Sequence, residues 1–464
     1  MDYISTRGEA QAVNFLDAVL IGLAPDGGLY VPRDWPTFSK AEIAAFAGRP
    51  YAEVAAAVIG RFAGDAIPKA IISEMCAEAY ATFSHPATTP LKQLYPNLWL
   101  LELFHGPTLA FKDVAMQILA RLYDYVLSRK KRTLTIVCAT SGDTGGAAVE
   151  AFRGSANVRI VVLFPDNRIS EVQRRFMTTT GDANVRTVAV DGTFDDCQTI
   201  LKSLFQDERF SRDVDLSGVN SINWARVAAQ SVYYFTAAAA LGAPDRAMTF
   251  AVPTGNFGDA FAGFVAAKMG LPIEKIIVAT NSNDILSRAL KDGRYARGEV
   301  AATISPAMDI QIASNFERLY FEAVKRESTE TSRAFRAFSD AGSIDIPPGA
   351  HAQMKQLFSG LAVSEGETQR TILATYNETG ELIDPHTAVA IAAAHRHGLS
   401  GKTPVIALST AHPAKFPEAV KAAAGVEPHL PGSVSDHSTK VEQIDRLPAD
   451  AEAIKAYVRA FAGA

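Results

Sequence analysis

Cysteine is scarce. Cys76, Cys138 and Cys197 are the only three in 464 residues. They are far apart and odd in number, so no disulfide framework is expected and a reducing compartment fits. No Cys-x-x-Cys or His/Cys cluster is present, so no zinc site is expected. Basic charge is not in excess either: 45 Lys and Arg stand against 50 Asp and Glu, a net charge of -5. A nucleic-acid partner, which needs clustered cations, is therefore not expected. Long apolar runs are missing as well, and no uncharged stretch reaches the length of a bilayer span. The most apolar N-terminal stretch, residues 13–24, lacks a basic flank and contains Asp17. It does not read as a signal peptide. The expectation is a soluble cytoplasmic protein with no membrane partner.

What is present is a long chain with two kinds of pattern. Its length exceeds what one hydrophobic core organises, so two or three domains are expected. Residues 1–95 read as a mostly helical domain. The turn Pro25-Asp26-Gly27-Gly28 precedes a short strand at 29–31, and Ala-rich helical stretches follow at 41–46 and 54–62. After a strand at 98–103, apolar β-branched strands (133–139, 159–164, 185–190, 248–253, 276–280, 405–408) alternate with helical segments (145–152, 194–205, 225–241, 260–268). This is the pattern of an α/β protein with two parallel-type sheets covered by helices. Residues 283–375 are more charged and have few strand signals, which reads as a helical insertion. The expected division is 1–95, then 96–132 joined with 242–464 as a large domain, with 133–241 as a smaller α/β domain.

Four segments carry candidate chemistry. The first is His105-Gly106-Pro107-Thr108-Leu109-Ala110-Phe111-Lys112-Asp113. After it, Val114, Ile118, Leu119, Leu122, Tyr123 and Val126 fall three and four apart, predicting a helix with Thr108 or a neighbour as its cap. Lys112 in the first turn faces the positive end of the helix dipole, which lowers its amine pKa slightly. That suits an amine that must lose a proton to attack an aldehyde, although a lysine taken alone is ordinarily a solvated surface residue.

The second segment, Gly255-Asn256-Phe257-Gly258-Asp259, follows a strand and opens a helix. Its glycines let the backbone approach a ligand, and the N–H groups of the helix start suit a phosphate. Asn256 offers a further donor, and Asp259 is expected to cap the helix. The third, Ser141-Gly142-Asp143-Thr144-Gly145-Gly146, repeats the arrangement and predicts a second anion pocket. Neither loop matches the dinucleotide or P-loop fingerprints. The fourth, Ser409-Thr410-Ala411-His412-Pro413, places a hydroxyl at the C-terminal end of a strand, where ligands of open α/β sheets collect. Ser221-Ile222-Asn223-Trp224-Ala225-Arg226 adds an arginine able to grip a phosphate. Each of these loops, seen alone, also reads as an ordinary turn or cap. His395 and His397 point different ways on a helix and read as its C-terminal residues before Gly398, not as metal ligands. Together, an amine, two glycine-rich anion loops and a hydroxyl turn are the parts needed to hold pyridoxal 5′-phosphate (PLP) as a Schiff base.

These segments, with Tyr3-Ile4-Ser5-Thr6-Arg7-Gly8 and Leu23-Ala24-Pro25-Asp26-Gly27-Gly28-Leu29-Tyr30, resemble the threonine synthases of the longer type found in fungi and many bacteria. The resemblance covers nearly the whole chain. It implies fold-type II PLP architecture, with Lys112 as the catalytic residue that carries the cofactor. It also implies that Gly255, Asn256, Phe257, Gly258 and Asp259 form the phosphate loop and its surroundings, and that Thr410 meets the pyridine nitrogen. Ser141, Asp143, Thr144, Asn223 and Arg226 would line the substrate side; the longer threonine synthases resemble this chain in having Asp at the place of Asp143. The implied reaction converts O-phospho-L-homoserine and water to L-threonine and phosphate, in a monomer or homodimer. Two other readings stand beside it: a related PLP lyase releasing a keto acid, and a non-catalytic small-anion binding protein on the same fold.

Overall fold

The structure is a computed structural model that describes residues 1–167 and 169–463. Two sheets organise it. In the large sheet the strand order is Phe358–Ala362, Ile273–Thr280, Met248–Pro253, Val405–Ser409, Leu98–Glu102, Leu91–Tyr95. All neighbours run parallel except the last pair. In the small sheet the order is Asp445–Pro448, Val185–Asp191, Val158–Pro165, Leu134–Ala139, Leu216–Ser217, and every pair is parallel. Such strands are buried on both faces and so read as continuous apolar runs. Met248–Pro253 is buried at every residue. The helices Trp224–Ala240 and Gly258–Lys268 pack on each other beside the large sheet, with Tyr234 against Phe250 at a ring separation of 4.7 Å. A three-stranded antiparallel sheet (Val13–Asn14, Asp2–Ser5, Tyr30–Pro32) and four helices make up the N-terminal part, up to Tyr80.

Three expectations from the sequence need correction. The region 283–375 is not purely helical: Phe358–Ala362 forms the edge of the large sheet, parallel to Ile273–Thr280. Its sequence, Phe-Ser-Gly-Leu-Ala, has little strand character. Gly360 is needed there because a Cβ would lie 2.7 Å from the Cα of Ser287. Residues 242–464 do not all accompany the large sheet: Asp445–Pro448 pairs with Val185–Asp191 in the small one, and the helix Ala451–Ala462 packs Ile454 and Val458 into the same core. A crossover of this length leaves no local trace in the sequence. Thr108 does not cap the helix Lys112–Lys130, which has no side-chain cap; its N–H and hydroxyl donate instead to the Asp113 carboxylate, at 2.8 and 2.6 Å.

Candidate active site

The four segments singled out above all follow the C-terminal ends of parallel strands. Two of them are joined directly. Ala110 and Ala411 form an antiparallel bridge, Phe111 N–H donates to Thr410 O at 2.8 Å, and His412 N–H donates to Leu109 O at 3.1 Å. This pairing fixes Thr410 beside the start of the Lys112 helix.

Lys112 is buried, and its Nζ lies 3.3 Å from Asp143 Oδ2. Burial pushes the amine pKa down against the pull of Asp143, and Lys415 and Arg226 push it further. Asp143 opens the helix Asp143–Phe152. Its other oxygen accepts from Lys415 Nζ at 2.8 Å and Gln173 Nε2 at 3.0 Å. Burial alone would raise its pKa. The Lys415 and Lys112 ammonium groups outweigh that and hold the carboxyl far below the usual range. Behind it, Thr140 Oγ1 accepts from the N–H groups of Gly142 and Gly145 at 2.9 and 3.0 Å, tying the turn into a compact cradle. Among the described residues, no partner takes the Ser141 or Thr144 hydroxyl.

The second glycine turn is tighter. A Cβ on Gly255 would lie 2.7 Å from Ala307 O. Phe257 is left-handed, with φ of 63°, and precedes a helix that has no side-chain cap. Asn315 holds the turn through Asn256 O, to which its N–H and Nδ2 donate at 3.0 and 3.1 Å. Ser314 Oγ donates to Asn256 Oδ1 at 3.1 Å. Asp259 does not cap the helix as expected. It points back into the protein, where Tyr233 and Tyr234 hydroxyls donate to Oδ1 at 2.5 and 3.1 Å. Its Oδ2 is buried with no partner among the described residues. Burial pushes this carboxyl up to about 7 in spite of the two tyrosines.

Arg226 and Asn223 separate in role. The Asn223 amide, expected on the substrate side, is committed to structure: Oδ1 accepts from Ala225 N–H at 3.0 Å and Nδ2 donates to Val19 O at 2.8 Å. Arg226 is 4% exposed and, among the described residues, has no carboxylate partner. Its Nη1 donates to Val219 O at 3.0 Å, its Nε is buried and unpartnered among the described residues, and burial lowers its pKa to about 10. A buried cation with a free donor fits an anionic ligand.

Several residues escaped the sequence reading. Lys415 and Gln173 are separated from Asp143 by long stretches of chain and carry no local motif. Asp384 and His386 form a buried pair at 2.7 Å, and His386 Nε2 accepts from Ala307 N–H at 3.2 Å, beside Gly255. Thr387 bridges Asp384 to Ser409, with 3.0 Å between the two hydroxyls. This chain links the Thr410 turn to the Gly255 turn. Its one sequence signal is Asp384-Pro385, a cap followed by proline at a helix start.

The chain matches three family models in succession: Threonine synthase N terminus over residues 2–80, Pyridoxal-phosphate dependent enzyme over 82–357, and Threonine synthase, C-terminal over 387–458. It is 48% identical to threonine synthase of Pseudomonas aeruginosa, covering 99% of this chain and 98% of that one. The chain belongs to the threonine synthase family. Within that family it is 41% identical to the Saccharomyces cerevisiae enzyme, over 90% of this chain and 88% of that one. The PLP-bound threonine synthase structure from Brucella melitensis superposes with a TM-score of 0.98 at 52% identity, covering 100% of both chains. The yeast threonine synthase structure follows at 0.94 and 38%, covering 100% of this chain and 99% of that one. The protein is a PLP-dependent enzyme of fold-type II acting on a small molecule, as expected. The site fits the cofactor on its own evidence: a buried amine with a lowered pKa, a cradle at Gly255 that any side chain would fill, and a hydroxyl turn bridged to the lysine segment. Among the described residues no group of side chains could hold a metal ion, and no helix is long and apolar enough to cross a membrane.

Proposed function

We propose that the protein converts O-phospho-L-homoserine and water to L-threonine and phosphate, with Lys112 as the lysine that binds PLP. The observation that carries the reading is the buried Lys112 amine, depressed in pKa and fixed against both the Asp143 and Thr410 segments. Gly255, Asn256, Phe257 and Gly258 hold the cofactor phosphate on helix-start N–H groups, and Asp259 fixes that turn through Tyr233 and Tyr234. Thr410 offers a neutral hydroxyl to the pyridine nitrogen. When bound, PLP supplies the electron sink that stabilises negative charge next to the substrate's amino group.

The chain's own residues do the rest. Lys112 Nζ takes and returns protons at the substrate Cα and Cβ. Arg226, with its free Nε, and the hydroxyls of Ser141 and Thr144 bind the substrate's anionic groups and stabilise the phosphate as it leaves Cγ. Water then adds at Cβ. Asn223 acts indirectly, by capping the helix that carries Arg226. Incubation with O-phospho-L-homoserine tests the reading. Threonine and phosphate in equal amounts are expected. 2-Oxobutyrate as the main product would replace it with a lyase, and PLP absorbance without turnover would replace it with a binding protein.

A further inference from the structure

A second buried lysine lies in the site, unused by the reaction above. Lys415 ends the short turn Pro413–Lys415, just beyond Thr410, and is 1% exposed. Its Nζ is 2.8 Å from Asp143 Oδ1 and 2.7 Å from Thr108 O. Lys112 reaches the other oxygen of the same carboxylate at 3.3 Å. One carboxylate thus bridges two ammonium groups that come from different parts of the chain, and Lys415 holds the closer position.

The arrangement has a consequence for Lys112. To load the cofactor, neutral Nζ attacks the aldehyde carbon, a C=N bond forms, and the aldehyde oxygen leaves as water. A carboxylate with no other cation would pair with Lys112 and keep it as ammonium. The charged groups facing Lys112 are Asp143 from the helix Asp143–Phe152, Lys415 from the turn after the last large-sheet strand, Arg226 from the helix Trp224–Ala240, and Asp259 from the helix Gly258–Lys268. Asp113, next in the chain, is taken up by Thr108. Lys415 is the cation that shares Asp143. It is not itself an anion site: two of its three donors are engaged by Asp143 and Thr108 O, and a phosphate arriving there would meet the carboxylate.

We propose that Lys415 is a positioning residue for Lys112, taking up the charge of Asp143 so that the Lys112 amine is free to turn neutral and join the cofactor. The inference rests on Lys112 being the PLP lysine, and peptide mapping of the loaded, borohydride-reduced protein checks that separately. Protein stripped of PLP is mixed with fresh PLP, and the appearance of the C=N absorbance is followed as a function of pH. Lys415→Met is expected to load about tenfold more slowly near neutral pH, with its rate profile displaced to higher pH. Lys415→Arg restores the profile, and Asp143→Asn combined with Lys415→Met cancels the displacement, because the carboxylate that traps Lys112 is gone. A folded Lys415→Met whose profile superposes on the parent's overturns the proposal. Should that variant not fold, Asp143→Asn decides: Lys415 then faces Lys112 unshielded and the profile must move to lower pH, and an unmoved profile overturns the proposal. A label found on another lysine sinks the assignment of Lys112 and this inference together; a label on Lys112 with an unmoved profile sinks this inference alone.

Discussion

The two glycine turns place the same residue in the same local setting and give it opposite electrostatics. Asp143 and Asp259 each lie in the first turn of a helix that follows a buried parallel strand, and each is about 6% exposed. Asp143 meets two lysines and a glutamine amide, and is held ionised. Asp259 meets two tyrosine hydroxyls, its other oxygen has no partner among the described residues, and its pKa rises to about 7. Both are equally buried, so the partners supplied by distant parts of the chain decide the charge. At the small-sheet turn one carboxylate is shared between two lysines. The large-sheet turn carries a carboxyl whose negative charge is disfavoured.

Lys112→Ala removes the amine that both carboxyls face. Turnover should fall on the order of 10³-fold or more, and the PLP absorbance that reports the C=N bond should vanish, as a spectrum of the purified variant checks. Asp143→Asn leaves two buried ammonium groups without their counter-ion. A loss of about 3–5 kcal/mol in stability is expected from denaturant unfolding of the PLP-free protein. Arg226→Ala should lower kcat/KM for O-phospho-L-homoserine about a hundredfold, close to 3 kcal/mol, and leave PLP affinity nearly unchanged. Equal losses in both would mean that Arg226 serves the cofactor. Asp259→Asn should cost least, about 1 kcal/mol, because the amide oxygen still accepts from both tyrosines.

pH sharpens the same contrast. The folded pKa of Asp143 is depressed, so its stabilising contribution is present above the unfolded carboxylate value of about 3.9 and is lost as pH falls through its folded value. The folded pKa of Asp259 is raised, so the folded state holds a proton that the unfolded state releases. Its contribution therefore erodes as pH rises from about 4 and levels off above about 7. Unfolding curves of Asp259→Asn should gain on the parent across that window. Those of Asp143→Asn should converge with the parent only in acid.

Much of the architecture was legible because its signals are local. Residues 134–139 and 248–253 are apolar runs interrupted only by Thr135 and Thr249, and each is followed by glycines and a helix. Lys112, Gly255 and Thr410 stood out for the same reason. Phe358–Ala362 did not, because an edge strand containing Ser359 and Gly360 has no apolar run and its position depends on Ser287 across the gap. Asn223 shows the limit of local reading: in the sequence it sits one turn from Arg226, and only the fold shows that its amide also ties the helix start to Val19.

The sequence by itself determined the alternation of buried strands and helices, the glycine turns at their C-terminal ends and a lysine at the start of a helix. These depend on side-chain periodicity and backbone freedom over a few residues. The tertiary structure alone decided which groups meet: Lys415 with Asp143, the tyrosines of one helix with Asp259, and Arg226 with no carboxylate among the described residues. The protonation of a buried group depends on desolvation and on charges within a few ångströms, and most of those neighbours lie far away along the chain.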